Sequence, residues 1–211
     1  MAGKANSRET IVKTATRLFS VQGYHGTGLN QIIKESQCPK GSLYYYFPEG
    51  KEELARECIE QIKRMVSGKW QEAFERFEHP AQAIPYHIEM MAEDAEKSNF
   101  EGFTPLSFWN AVETCSVSVS LREACQNAID EWHGMLSQRL QSAGLDAERA
   151  AETATVILSM MEGSLIIAMT KQDSGPIHAA SKYMGILVER LLDVSRSDQS
   201  SPKSERHKKE D

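Results

Sequence analysis

Residues 27–51 read TGLNQIIKESQCPKGSLYYYFPEGK, and this stretch decides how the first part of the chain folds. Leu29, Ile32, Ile33 and Ser36 recur at i, i+3, i+4 and i+7, the period of one helix face, and Thr27 or Gly28 stands where an N-cap belongs. Pro39 has no N–H and biases Cys38 away from the helical region, so Ser36-Gln37-Cys38-Pro39 is a break. Proline is tolerated at a helix start, so a second short helix can follow directly. Leu43 and Phe47, four residues apart, point inward. Lys40, Gly41, Ser42, Tyr44, Tyr45 and Tyr46 are left mostly outside: a base, small residues and hydroxyl-bearing aromatics, with almost no acid. The plainer alternative is a set of surface aromatics on a helical bundle. Three consecutive tyrosines behind a base on an exposed short helix favour a major-groove reader, and the pattern predicts a helix-turn-helix.

Working outward, a first helix runs from Asn6 or Ser7 to Gln22 with Ile11, Ala15, Leu18 and Phe19 on one face, and Gly23 is a natural stop. After the reader, Leu54, Cys58, Ile62, Met65, Val66, Trp70, Ala73 and Phe77 form the stripe of one long helix over residues 51–77. A helix that begins beside the reader and ends far from it is a mechanical link. His79-Pro80 ends it, and Ile84, His87, Ile88 and Met91 predict a fifth helix over 81–97. Further helices follow over 102–115, over 120–143, and from the capping Asp146 through a Val156–Met169 section that is apolar nearly all round. Pro176 opens the last helix, and residues 196–211 read as a polar, disordered tail. The expectation is an all-α chain of about nine helices. Residues 1–52 form a DNA-binding unit, 53–195 an effector-binding and dimerisation unit, and 196–211 the tail.

The chain has 211 residues and a net charge of −6, which taken alone argues against nucleic acid. The charge is unevenly placed: residues 1–51 carry +4 and the remainder −10. A basic head on an acidic body presents one end to a polyanion. The four cysteines, at 38, 58, 115 and 125, include no CxxC pair, and each reads first as a small buried hydrophobe. With no signal-like start and no apolar run long enough to span a bilayer, the expected place is the cytoplasm, without a membrane partner. The six histidines give no HxxxH or HExxH, and there is no GxSxG, P-loop or Gly-rich βα turn. Neither an enzyme nor a metal or cofactor site is expected.

Gly23-Tyr24, Thr27, Lys40-Gly41-Ser42-Leu43-Tyr44, Phe47 and Lys51-Glu52-Glu53-Leu54 closely resemble the signature of the TetR family of bacterial repressors. GLNQIIKES and PKGSLYYYFPEGKEEL resemble its LmrA/YxaF-type, drug-responsive branch. The likeness is dense over about residues 8–60; beyond Phe77 it is one of helix pattern. One departure is Gln37, where the family's turn usually carries Gly. If that position needs a left-handed backbone, Gln costs about 1 kcal/mol there. The residues themselves put Lys40 on a phosphate or a guanine edge, let backbone approach the bases at Gly41, and offer Ser42 and Tyr45 to base edges. The resemblance implies that Tyr44, Tyr46 and Lys51 sit on phosphates, with Thr27 and Gly28 supplying phosphate contacts at the start of the second helix.

Met90, Met91, Phe103, Phe108, Trp109, Trp132, Met160 and Met161 are large, soft or aromatic, and as a set they suggest an apolar effector pocket, although each singly reads as core. Glu162, in LSMMEGSL, must be paired, face a cavity or meet its mate across an interface. His87 could serve the pocket, but reads more safely as a satisfied helix histidine. Leu158 and Leu165 with Tyr183, Leu187 and Leu191 predict a four-helix bundle between two copies. The resulting expectation is a homodimeric repressor on a palindromic double-stranded operator, released by a small apolar or aromatic effector and controlling an efflux or detoxification gene. The alternatives are a thiol-redox or electrophile sensor using these cysteines, and a carrier or enzyme that kept the head without DNA function.

Overall fold

The computed structural model describes residues 3–100 and 118–200, with side chains described over 7–100 and 118–197. Among the described residues there are eight helices and no strand. They are α1 (Gly3–Gly26), α2 (Leu29–Ser36), α3 (Lys40–Tyr46), α4 (Lys51–Arg76), α5 (Pro80–Lys97), α6 (Val119–Ser142), α7 (Ala147–Lys171) and α8 (Gly175–Ser200). The helix expected over 102–115, and Cys115 with it, lies outside the described residues.

Local chemistry sets most boundaries. Gly23 takes φ 78 and ψ 167, breaking α1 where the sequence places a stop, and one more helical turn follows to Gly26. Pro80 opens α5 from an extended His79. Ser118 accepts from the Leu121 N–H at 3.2 Å, and Asp146 from the Arg149 N–H at 2.9 Å, so α6 and α7 each begin on a side-chain cap. The end of α4 is held differently: the Arg139 guanidinium of α6 donates to the carbonyls of Phe74 and Phe77 at 3.2 and 2.9 Å. The last helix runs to Ser200, past the expected start of the tail at 196, because Ser195 is buried and Arg196 pairs back to Asp193 and reaches His79. Residues 201–211 lie outside the described residues.

Helices α2, α3 and α4 all pack on α1, around Ile11, Leu18, Phe19, Ile32, Leu43, Phe47 and Leu54, each at most 1% exposed. Farther along, α4 meets α5 and α6, α5 lies along α8, and α7 packs between α6 and α8. Two details correct the expected α4 stripe. Ala55 and Ile59 are buried alongside Leu54 and Cys58, and Met65 is exposed. The first half of α4 is clamped against the head (the Cys58 thiol donates to the Val12 carbonyl), and α6 runs beside α4 along its length, from Ser118 at Glu52 to Arg139 at Phe74.

The reading that no stretch could span a bilayer also needs correction, since α7 has the length and composition to do so. In this fold it is a core helix, burying Ala150, Ala154, Ile157, Leu158, Met161, Leu165 and Ala168 against its neighbours.

Candidate nucleic-acid interface

The α2–α3 turn is built from within. Ser36 is buried, and its hydroxyl donates to the Ile33 carbonyl at 3.2 Å while accepting from the Cys38 N–H at 3.4 Å. Gln37 adopts φ 55 and ψ 22, the left-handed conformation that the missing glycine would favour, so the strain of about 1 kcal/mol is present at that residue. Pro39 caps α3, its carbonyl accepting from the Ser42 N–H at 2.9 Å. Leu43 and Phe47 anchor α3 inward, and Arg8 lies over the Phe47 ring while pairing with Glu57 at 2.9 Å. Across the first two helices, Arg17 pairs with Glu35, which also accepts from Gln31 at 2.9 Å. Those hydrogen bonds, Gln31 first and Arg17 next, hold the Glu35 carboxyl below the usual carboxylate range.

This leaves one face of α3 outward. Tyr45 is 73% exposed, Tyr44 and Lys40 are exposed, and Ser42 and Tyr46 are half-buried. Gly41 is exposed, and nothing lies within 4 Å of where a Cβ would stand, so backbone can approach a partner there. Tyr45 and Tyr46 pack edge to face, centroids 5.1 Å apart, and the Lys40 ammonium lies 5.9 Å from the Tyr44 ring. Gly28 is exposed at the N-cap of α2, where the first N–H groups of a helix attract an anion. Thr27 is different from expectation. It is fully buried, with its hydroxyl donating to the Gly23 carbonyl at 2.8 Å, so its side chain holds the α1–α2 turn.

Sequence reasoning missed the support beneath Lys51. Tyr24, placed by the Gly23 kink, lies with its ring centroid 4.4 Å from the Lys51 ammonium. The two are 27 positions apart, and only the family motif joined them.

The expected effector residues divide. Met91, Trp132 and Met161 are buried in the core, with the Trp132 indole donating to the Lys63 carbonyl at 3.4 Å; Met90 and Glu162 are half-buried, and Met160 is exposed. Phe103, Phe108 and Trp109 lie outside the described residues. His87 is buried against Trp70, ring centroids 3.8 Å apart, and burial pushes its pKa down to about 3. A cleft of about 380 Å³ lies elsewhere, between the head and α6, with Arg8, Phe47, Arg56, Glu57 and Ser120 on its walls.

The residues expected between copies divide. Leu158 and Leu165 are turned into the chain's own core, Leu187 and Leu191 are half-buried, and Tyr183 is 59% exposed. The outward apolar stripe is instead Val156, Met160 and Ile167 on α7, with Tyr183, Ile186 and Val194 on α8. Spacing from Tyr183 by i+3 and i+11 could have found the α8 half of it.

With this geometry established, likeness to known proteins is informative. The family model for bacterial regulatory proteins, tetR family, matches residues 11–58, and that for the transcriptional regulator LmrA/YxaF-like, C-terminal domain, matches residues 80–183. The HTH-type transcriptional regulator LmrA of Bacillus subtilis is 41% identical over 186 residues, 88% of this chain and 98% of that one. YxaF of the same organism is 36% identical over 190 residues, 90% of this chain and 99% of its own length. A solved TetR transcriptional regulator from Chloroflexus aurantiacus superposes with a TM-score of 0.77 at 26% identity, over 90% of this chain and 98% of that one. These relatives are transcriptional regulators and not enzymes, and so is this chain. The chain belongs to the TetR family of bacterial transcriptional regulators, in the LmrA/YxaF-like branch.

Proposed function

We propose that this regulator is a cytoplasmic, homodimeric repressor that binds a palindromic operator through α3 and is released by a small apolar or aromatic effector. The observation that carries the reading is the outward face of α3, where Lys40, Gly41, Tyr44 and Tyr45 stand exposed on a helix anchored by Leu43 and Phe47. Lys40 meets a phosphate or a guanine edge, and Ser42 and Tyr45 read base edges; Tyr44, Tyr46, Lys51 and the α2 start at Gly28 hold phosphates. A two-fold pair of heads calls for a two-fold site, hence the palindrome. The exposed stripe on α7 and α8 supports an isologous contact between copies.

In this reading, residues 1–52 bind DNA, residues 53–195 bind effector and partner copy, and α4 joins the two. Coupling is supported by contacts at the start of α6: Ser118 donates to Glu52 at 2.7 Å, and Arg56 to the Ser120 hydroxyl at 3.2 Å. An effector among Met90, Met91, Trp132, Met161 and Glu162 shifts α6, and α4 carries the shift to the heads. The cleft between head and α6 leaves room for that motion. By resemblance to the branch, the controlled gene serves efflux or detoxification.

The test is selection of duplexes from a randomised pool, followed by affinity measurements on the selected sequence. The expected result is a palindrome bound with a steep salt dependence, and a large loss for Lys40→Ala/Tyr45→Ala. Equal affinity of the wild type and that double variant would rule out α3 as the reader.

A further inference from the structure

We infer that Tyr24 is a positioning residue for operator binding, holding the Lys51 ammonium at the DNA-facing start of α4 by a cation–π contact. The inference rests on the proposed role of Lys51 at a phosphate, and it adds a residue to which no DNA role has been given. Lysine is a flexible carrier of charge: its ammonium sits on four methylenes, and fixing it at a phosphate costs rotamer entropy unless something fixes it beforehand.

Three features of the chain make Tyr24 that support. The Gly23 kink, at φ 78 and ψ 167, swings Tyr24 out of the α1 path and across towards the start of α4. The ring is then wedged: Phe19, 1% exposed, lies at 5.7 Å between centroids, and His25 meets it edge-on at 5.4 Å. The Lys51 ammonium lies over this fixed ring, 4.4 Å from its centroid, well within the range of about 6 Å at which a ring quadrupole attracts a cation. Gly50, at φ 80 and ψ −133, starts α4 from a backbone conformation that brings Lys51 to this position on the first turn. The ring is packed on two sides and the group it supports is an intrinsically flexible side chain, which is the arrangement preorganisation needs.

A ring face accepts charge without satisfying N–H donors in a directional way, so the contact itself does not compete with an anion for them. A carboxylate in the same place would neutralise the charge that a phosphate must meet. Tyr24 thus orients Lys51 without competing with the anion.

The experiment is a double-variant cycle on the full-length protein, using a duplex selected from a randomised pool by the wild type. Tyr24→Leu should weaken binding about two- to fivefold per head, the size of an exposed cation–π contact. Tyr24→Phe keeps the ring face and should restore wild-type affinity. In a Lys51→Met background, Tyr24→Leu should change nothing further, and the salt slope should already be lowered by about one per head. Thermal unfolding of each variant separates lost packing against Phe19 from lost positioning. An equal Tyr24→Leu loss with and without Lys51 would overturn the inference and make Tyr24 a packing residue only. No effect of Lys51→Met on affinity or salt slope would instead overturn the phosphate role of Lys51 on which the inference stands.

Discussion

Ile186→Glu should turn the protein into monomers. Ile186 is 49% exposed on α8, between Tyr183 and Val194, and Val156, Met160 and Ile167 are exposed on α7, the helix packed beside it. Fully burying a side chain of this kind is worth roughly 1.5–3 kcal/mol, and these six retain about half their surface, so each offers about 1 kcal/mol. Two copies then supply on the order of 10 kcal/mol of gross burial, against an association cost of about 4–15 kcal/mol. The margin is narrow enough that one defect matters. A glutamate removes about 1 kcal/mol and adds at least a similar desolvation cost, and a two-fold contact counts every defect twice. A total near 4 kcal/mol raises the dimer dissociation constant by about a thousandfold. Sedimentation from nanomolar to tens of micromolar measures this, with Leu158→Ala as the contrast. Leu158 is 8% exposed, so its truncation should lower folding stability by about 2–5 kcal/mol and leave the contact face in place. The reasoning is refuted if the wild type is a monomer at micromolar concentration, or if the Ile186→Glu protein stays dimeric over the wild-type range.

His87 makes the fold acid-sensitive. Burial, aided by the charge of Lys69, pushes its pKa down to about 3, whereas the unfolded chain binds that proton near 6.5. Below pH 6.5 the unfolded state therefore holds one more proton, so stability falls as pH drops towards 3. Between pH 6.5 and 5 this group alone should remove about 2 kcal/mol, and His87→Gln should flatten that part of the profile in thermal unfolding. The cysteines should be dispensable for DNA binding. Cys58 is buried with its thiol pushed up to about 12, Cys125 is buried, and the Cys38 thiol donates to the Ser36 carbonyl at 3.5 Å. A variant with all four cysteines replaced by alanine should bind the selected duplex as the wild type does, before and after diamide. Release of the wild type by diamide, with the variant resistant, would make thiol sensing the leading function.

What the sequence determined by itself is the part of the protein whose cues are local. Pro39, Gly23, Pro80 and Asp146 act on their own few residues, so the break before α3, the interruption at Gly23 and the starts of α5 and α7 were legible without a fold, whereas the extra turn from Gly23 to Gly26 was not. The outward face of α3 was legible for the same reason: Leu43 and Phe47 have to go in, and a seven-residue helix then leaves Lys40, Tyr44 and Tyr45 on the other side. The tertiary structure decided whatever depends on a neighbour distant in sequence. A helix as apolar as α7 carries no mark of which side is core, and packing against α6 and α8 turned Leu158 and Leu165 inward and left Val156, Met160 and Ile167 outside. Met65 lies on the stripe drawn from residues 54–77, yet it is exposed, while Ala55 and Ile59, off that stripe, are buried where α4 meets both the head and α6. Thr27 has the look of a cap or a phosphate ligand, and the carbonyl of Gly23 claimed its hydroxyl instead. Lys51 and Tyr24 meet only because the head closes on the start of α4. Periodicity reports how a helix is made, but its azimuth and its partners are set by the surface it is packed against.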